Sequence, residues 1–419
     1  MADYFNGEFP IGGYFGPFSK NERYPDKPDV LNDESFSLAK KCGFNFTVCY
    51  TERYPETRDT VFRALDCAAR SGMKVLVSDS YIEQGTIESK LMSEGRLPDF
   101  KSDYRISERD YGNHPAFLGC YIVDEPLPPR FPLLKSICDA FYEVTPNKLF
   151  FVNMLPVYGI SSMRNVFWIE DEYEREKVYS KYISGYIHTV KPPLLCYDYY
   201  PFEHEFPKFG ADYFVNLAVA RKESQKANIP FWVSPQSAAQ GNMREIGLGE
   251  MMMQVNTSLA FGAKGLMYFC WSMPYDGMCG SEKYSAALTD QGKPMPMYYH
   301  AKAANEWVRK IGKELLACES LGVTSAGTAP ARIPDYALAE SAGALQSLQG
   351  KHALVGVLQN KNNGKYAYLV VNDSIWEDDC IELTFKGDFV CVSESATTEI
   401  KDRVSLRLQP GRAVFIQSK

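Results

Sequence analysis

The sequence predicts an α/β protein, a (β/α)8 TIM barrel over residues 1–317 followed by a small antiparallel β-sandwich over 318–419. Three observations carry this. Eight short apolar runs alternate with helical patterns from residue 9 to about 317. After Leu316 the texture changes to short alternating strands. A chain of 419 residues also exceeds the size at which a single core stops growing, roughly 250–300 residues.

The apolar runs cover 11–17, 44–51, 74–80, 117–124, 149–155, 194–200, 230–235 and 265–271, each bounded by polar or turn residues. Helical periodicity fills 34–42, 57–71, 131–144, 172–183, 212–227, 249–260 and 300–316. Gly43, Gly72 and Gly262 follow three of these stretches and can take the left-handed cap conformation without a Cβ penalty. The connections 81–115 and 157–186 exceed a minimal crossover, and long loops at that end of a barrel shape substrate sites. In the C-terminal region strands are expected at 353–358, 366–371, 381–385, 390–393, 404–408 and 413–417, with turn residues at Asn362-Asn363-Gly364 and Pro410-Gly411.

Composition narrows the function. A net charge of −7 argues against nucleic acid, which needs clustered Lys and Arg. No apolar run approaches the roughly 20 residues of a bilayer span, so no membrane partner is expected. The sequence begins without the basic-then-apolar layout of a signal peptide, which reads as cytoplasmic, or as secreted or periplasmic if a leader has been removed. Eleven Cys are spread along the chain with no zinc spacing, and they read as reduced. His204, flanked by Glu203 and Glu205, is not a metal site, because adjacent side chains point apart. No metal or other cofactor is expected. Aromatic residues make up 14% of the chain, and their flat faces suit both a core and a sugar ring.

The fourth apolar run, Gly119-Cys120-Tyr121-Ile122-Val123, ends in Asp124-Glu125-Pro126. Strand propensity drops there, which puts both acids at the strand's C-terminal end, the end that carries the chemistry in a barrel. Two adjacent acids at that position need specific partners or a use. Other strand ends supply Tyr14, Tyr50, Glu52, Asp79, Asn153, Asp198, Tyr199, Tyr200, Gln236 and Trp271. Such a set combines stacking faces with hydroxyl ligands, which points to a carbohydrate partner.

The barrel, the fourth-strand Asp124-Glu125-Pro126, the sixth-strand Cys196-Tyr197-Asp198-Tyr199-Tyr200-Pro201-Phe202, the eighth-strand segment from Gly262 to Trp271 and the terminal β-domain together resemble the clan A glycoside hydrolase superfamily. The resemblance implies that Glu125 is the general acid/base and that Trp271 forms the floor of a sugar subsite. It also implies a nucleophilic Glu at the end of strand seven, but Gln236 stands there, and an amide cannot act as an anionic nucleophile.

Asp198 is the best substitute, as a base activating water in an inverting mechanism, with Gln236 binding substrate or the attacking water. Asp124-Glu125 with Tyr197-Asp198 are also similar to hexosaminidases and chitinases, which implies an alternative in which a substrate acetamido group is the nucleophile. The expected function is hydrolysis of a glycosidic bond in an oligo- or polysaccharide. A rival reading is a glycan-binding barrel without catalysis. The sequence leaves the sugar, its linkage and the oligomeric state open.

Overall fold

The computed structural model describes residues 3–20, 28–162, 175–204, 211–272, 287–328 and 332–419. Each of the eight apolar runs coincides with one strand, the second strand continuing three residues past its run: β1 (Ile11–Gly13), β2 (Phe46–Tyr54), β3 (Lys74–Asp79), β4 (Phe117–Asp124), β5 (Leu149–Met154), β6 (Leu195–Asp198), β7 (Phe231–Ser234) and β8 (Leu266–Tyr268). They pair in parallel and in sequential order, and β1 closes on β8, making a complete barrel. The register sets Asp124 beside Asn153 and Asn153 beside Cys196, two residues before Asp198. Asp124 and Asn153 therefore share a level, and Asp198 follows two residues further along β6, within reach of the Asn153 side chain.

The barrel interior is packed with large side chains, among them Phe46, Leu76, Leu118, Phe151, Trp232 and Met267. Phe46 and Trp232 meet with ring centroids 5.4 Å apart. Gly265 makes room for this packing, since a Cβ there would lie 2.6 Å from the Trp232 ring. A plugged interior leaves only the end of the barrel open for chemistry.

The outer layer is formed by α1 (Asp33–Lys41), α2 (Arg58–Arg70), α3 (Gln84–Glu94), α4 (Phe100–Tyr111), α5 (Phe131–Val144), α6 (Val157–Ser162), α7 (Arg175–Val190), α8 (Ala211–Lys226), α9 (Leu248–Ala260) and α10 (Pro296–Ala317). Their starts follow local chemistry. Asn32 accepts from Ser35 N at 3.0 Å to cap α1, whose first turn carries Asp33 and Glu34. The connection 81–115 holds two helices rather than irregular loop: Gly95 at φ +69° ends α3 and Asp99 caps α4 through Ser102 N. Part of the expected helix 172–183 and of the connection 157–186 lies outside the described residues.

Two short strands, β9 (Thr289–Asp290) and β10 (Lys293–Pro294), precede α10. The C-terminal sheet comprises β11 (Cys318–Gly327), β12 (Leu345–Gln349), β13 (His352–Asn360), β14 (Tyr366–Asn372), β15 (Asp379–Val392), β16 (Thr397–Leu408) and β17 (Ala413–Ser418). It runs β11-β13-β14-β17-β15-β12, with β16 paired to β15, and every pairing is antiparallel. The strands expected at 381–385 and 390–393 are one long β15, irregular against β16 between Thr384 and Asp388. One half of β15 pairs with β12 and the other with β17, so the sheet folds over a core containing Val355, Tyr368, Leu383, Phe389 and Ile416.

The opposite face of β13, β14 and β17 joins the barrel's outer core through Leu354, Leu369 and Phe415. Close approach there depends on Gly356, where a Cβ would meet the Ala260 carbonyl oxygen at 2.4 Å. Asn256, fully buried on α9, donates to Gly411 O and accepts from Trp307 Nε1, both at 2.8 Å, which pins the β-domain to α9 and α10.

Candidate active site

The chain turns sharply where β4 ends. Glu125 has φ +49°, a left-handed conformation in which its Cβ crowds the backbone. Surrounding bonds hold it there: its N–H donates to Asn153 O at 2.8 Å, and the next carbonyl, Pro126 O, accepts from the Tyr182 hydroxyl at 2.9 Å. Tyr182 also accepts from Leu155 N at 3.3 Å, tying the turn to the end of β5. An over-determined strained residue of this kind is typical of functional sites.

Asn153 is the centre of the arrangement. Its Nδ2 donates to Asp124 Oδ1 at 3.0 Å and to Asp198 Oδ1 at 2.8 Å, so one carboxamide clamps two aspartates. Asp198 is 5% exposed, whereas Asp124, though crowded by protein atoms, is exposed to solvent at the end of β4. Burial raises the pKa of the Glu125 carboxyl far above the carboxylate range, and the charges of Asp198 and then Asp124 push it further. Asp198 is raised by burial and by Asp124, against the lowering effect of Asn153 and the Tyr200 hydroxyl. Asp124 is raised by burial, against Asn153 and Tyr121. Burial and mutual repulsion thus favour the protonated form among these three acids, most strongly at Glu125.

Aromatic rings wall the acids. Tyr14 lies 5.8 Å from Tyr121 and 6.2 Å from Phe269, and its buried hydroxyl has no hydrogen-bond partner among the described residues. Tyr50 packs 5.8 Å from Tyr121, and half-buried Tyr200 packs 5.3 Å from Phe269. Thus Tyr14, Tyr50, Asp124, Glu125, Asn153, Asp198 and Tyr200 converge as the sequence suggested.

Five other candidates do not join them. Asp79 points to the helical layer, accepting from the Tyr111 hydroxyl and from Tyr81 N at 2.9 Å, and burial lifts it to about 6. Glu52 is consumed by Ser19 N at 2.7 Å, Ser19 Oγ at 2.9 Å and Thr51 Oγ1 at 2.8 Å. Tyr199 packs between Tyr158 at 5.0 Å and Tyr213 at 5.6 Å. Trp271 is 1% exposed and packs outward on Phe44 at 5.4 Å and Tyr298 at 6.0 Å, so it is no subsite floor.

Gln236 is fully buried. Its Nε2 donates to the carbonyls of Phe202 and Arg244, and its Oε1 accepts from Phe202 N, all at 3.0 Å. It anchors the segment after β6 to β7 and has nothing left for substrate or water.

Two mouth residues escaped the sequence reading. Phe269, two positions before Trp271, is the strand-eight aromatic that faces Tyr14 and Tyr200. Tyr158, at the start of α6, is half-buried; burial raises its pKa, and the charges of Asp198 and Glu125 raise it further. An aromatic just after the Leu155-Pro156 strand end was the available signal.

A cavity of about 690 Å³ lies at the opposite end of the barrel, lined in part by Arg221, Trp232, Phe261, Lys264 and Ser320. Two of its cations hold backbone: Lys264 donates to Cys318 O at 2.7 Å, and Arg221 to Ser320 O at 3.2 Å. Those contacts join the barrel to β11 and carry no reaction chemistry.

No family model matches the sequence, and no curated protein matches it. Solved structures do. A glycoside hydrolase family 5 protein from Bacteroides vulgatus superposes with a TM-score of 0.57 at 12% identity, covering 98% of this chain and 89% of that one. A second structure, described as a glycoside hydrolase, gives 0.54 at 11% identity over 98% and 92% of the two chains. Amy13B of Eubacterium rectale gives 0.50 at 10% identity over 100% and 96%. At such identities the likeness is one of fold, and this chain has the TIM-barrel-plus-β-domain fold found among glycoside hydrolases.

Proposed function

We propose that this chain hydrolyses a glycosidic bond in an oligo- or polysaccharide, with Glu125 as general acid and Asp198 as the second carboxyl. The observation that carries the reading is the Asn153 clamp: one carboxamide holds two aspartates beside a glutamic acid whose protonated form burial and like charge favour. Glu125 gives its proton to the glycosidic oxygen as the bond to the anomeric carbon breaks, and Asp198 takes a proton from the water that adds to that carbon. The aspartate charge also favours the cationic sugar that develops between these events. The aromatic wall of Tyr50, Tyr200 and Phe269 suits a sugar ring. Because Gln236 is committed to backbone, this reading takes the second carboxyl, among the described residues, from β4 or β6, and a carboxylate that activates water gives a product of inverted anomeric configuration.

A second reading puts the base on Asp124, because Asp124 is the more open of the two aspartates. Separate Asp124→Asn and Asp198→Asn variants distinguish them by which loses more turnover.

The experiment is a panel of aryl glycosides and oligosaccharides, with the anomeric configuration of the first product followed by NMR. Hydrolysis with inversion supports the proposal. Retention confined to N-acetylated sugars favours the acetamido-assisted route, and binding without cleavage favours the non-catalytic barrel.

A further inference from the structure

Trp232, Trp271 and Trp307 are at most 3% exposed, but Trp376, in the loop between β14 and β15, is 75% exposed. The loop that carries it is fixed from below. Fully buried Asn372 donates to Glu377 O and Leu408 O, both at 2.9 Å, and accepts from Ser374 N at 3.0 Å. Ser374 Oγ accepts from Trp376 N and Glu377 N, both at 3.1 Å. A rigid backbone thus presents an indole to water, the arrangement that minimises ordering cost when a ligand binds.

The position of this loop connects it to the acids. Gly411 N donates to Ser374 O at 2.9 Å, and Gly411 packs directly against Gly249 in the first turn of α9. Asp373 pairs with Arg332, whose guanidinium lies 5.3 Å over the Phe214 ring near the start of α8. Helices α8 and α9 begin where β6 and β7 end, so the Trp376 loop stands at the same end of the barrel as Asp198 and Glu125, outside the helical ring.

The surroundings indicate the ligand. Exposed Glu377 is paired with Lys351 and His352, and exposed Asp378 with Arg407. One flat apolar face set among hydrogen-bonding groups matches a pyranose, which has an apolar C–H face and a rim of hydroxyls. A protein partner would require a broader apolar patch, of a few hundred Å² or more.

We propose that Trp376 is a stacking platform for a distal unit of an extended glycan whose scissile bond lies at Glu125. The inference rests on the glycosidase reading for the identity of its ligand.

The test uses the full chain carrying Glu125→Gln, so that polymer is not consumed, in affinity electrophoresis through soluble galactomannan, xyloglucan and amylopectin. At least one polymer retards this protein, Trp376→Ala weakens that affinity roughly tenfold, and Trp376→Phe restores most of it. In the otherwise wild-type chain Trp376→Ala lowers kcat/KM for the polymer relative to that for a short aryl glycoside. Thermal melting is unchanged, because the ring is exposed. If no polymer retards the protein, or if Trp376→Ala and the parent are retarded equally, the platform is refuted. Trp376-dependent retention by a wild-type chain that cleaves nothing would instead refute the hydrolase reading and keep the platform.

Discussion

The backbone amide of Glu125 donates to the carbonyl of Asn153 at 2.8 Å, and the side chain of that same asparagine holds Asp198 at the same distance. Acid and second carboxyl are thereby referenced to one residue on β5. Asn153 lowers the pKa of both aspartates, so its removal raises the pKa of the group that must be ionised to act as base. Asn153→Ala should move the acidic limb of the kcat/KM profile to higher pH and cost about 10-fold or more in turnover. An acidic limb that stays in place would contradict the clamp.

Asp198→Asn tests the coupling from the other side. Burial is the main cause of the raised Glu125 pKa, with Asp198 the larger of the two charge contributions. Removing that charge lowers the Glu125 pKa, and a general acid fails once it is ionised. The residual activity of Asp198→Asn should therefore show its basic limb at lower pH than wild type, whereas an unshifted limb would mean that the two groups do not sense each other.

The same shift has a stability consequence. A carboxyl whose folded pKa exceeds its unfolded value, about 4.3 for Glu, loses stability progressively as pH rises between the two values. Glu125 is such a group. Glu125→Gln should melt at a higher temperature than wild type at pH 8, and the difference should shrink towards zero near pH 4. A lower melting temperature at pH 8 would point to a structural role for the carboxylate.

Gln236 yields the opposite expectation. Its amide nitrogen faces two carbonyl oxygens, so a carboxylate there would meet acceptors instead of donors. Gln236→Glu should create no new activity and should destabilise the fold by about 2 kcal/mol or more, measured by urea unfolding. A gain of hydrolysis would show that strand seven still serves the reaction.

The contrast among these residues shows what the sequence could convey. Barrel order and the position of Glu125 were legible because an apolar strand that stops at Asp-Glu-Pro has one open end. Facing was less legible, because strands buried on both sides lack polar alternation, and a shift of one residue exchanges inside for outside. Tyr199 and Tyr200 are adjacent, yet one packs on Tyr213 and the other beside Asp198. At strand eight Phe269, not Trp271, supplies the aromatic at the mouth. The clamp by Asn153 depends on register among three strands, which no local pattern encodes.

The most direct test of the central claim compares leaving groups. Proton donation matters when the departing alcohol is a poor leaving group, such as a second sugar, and little when it is an activated phenol. Rates of wild type and Glu125→Gln on an oligosaccharide and on the matching dinitrophenyl glycoside should differ by at least about 10² on the first and by far less on the second. Equal losses on both substrates, or wild-type turnover of the oligosaccharide by Glu125→Gln, would contradict Glu125 as the general acid.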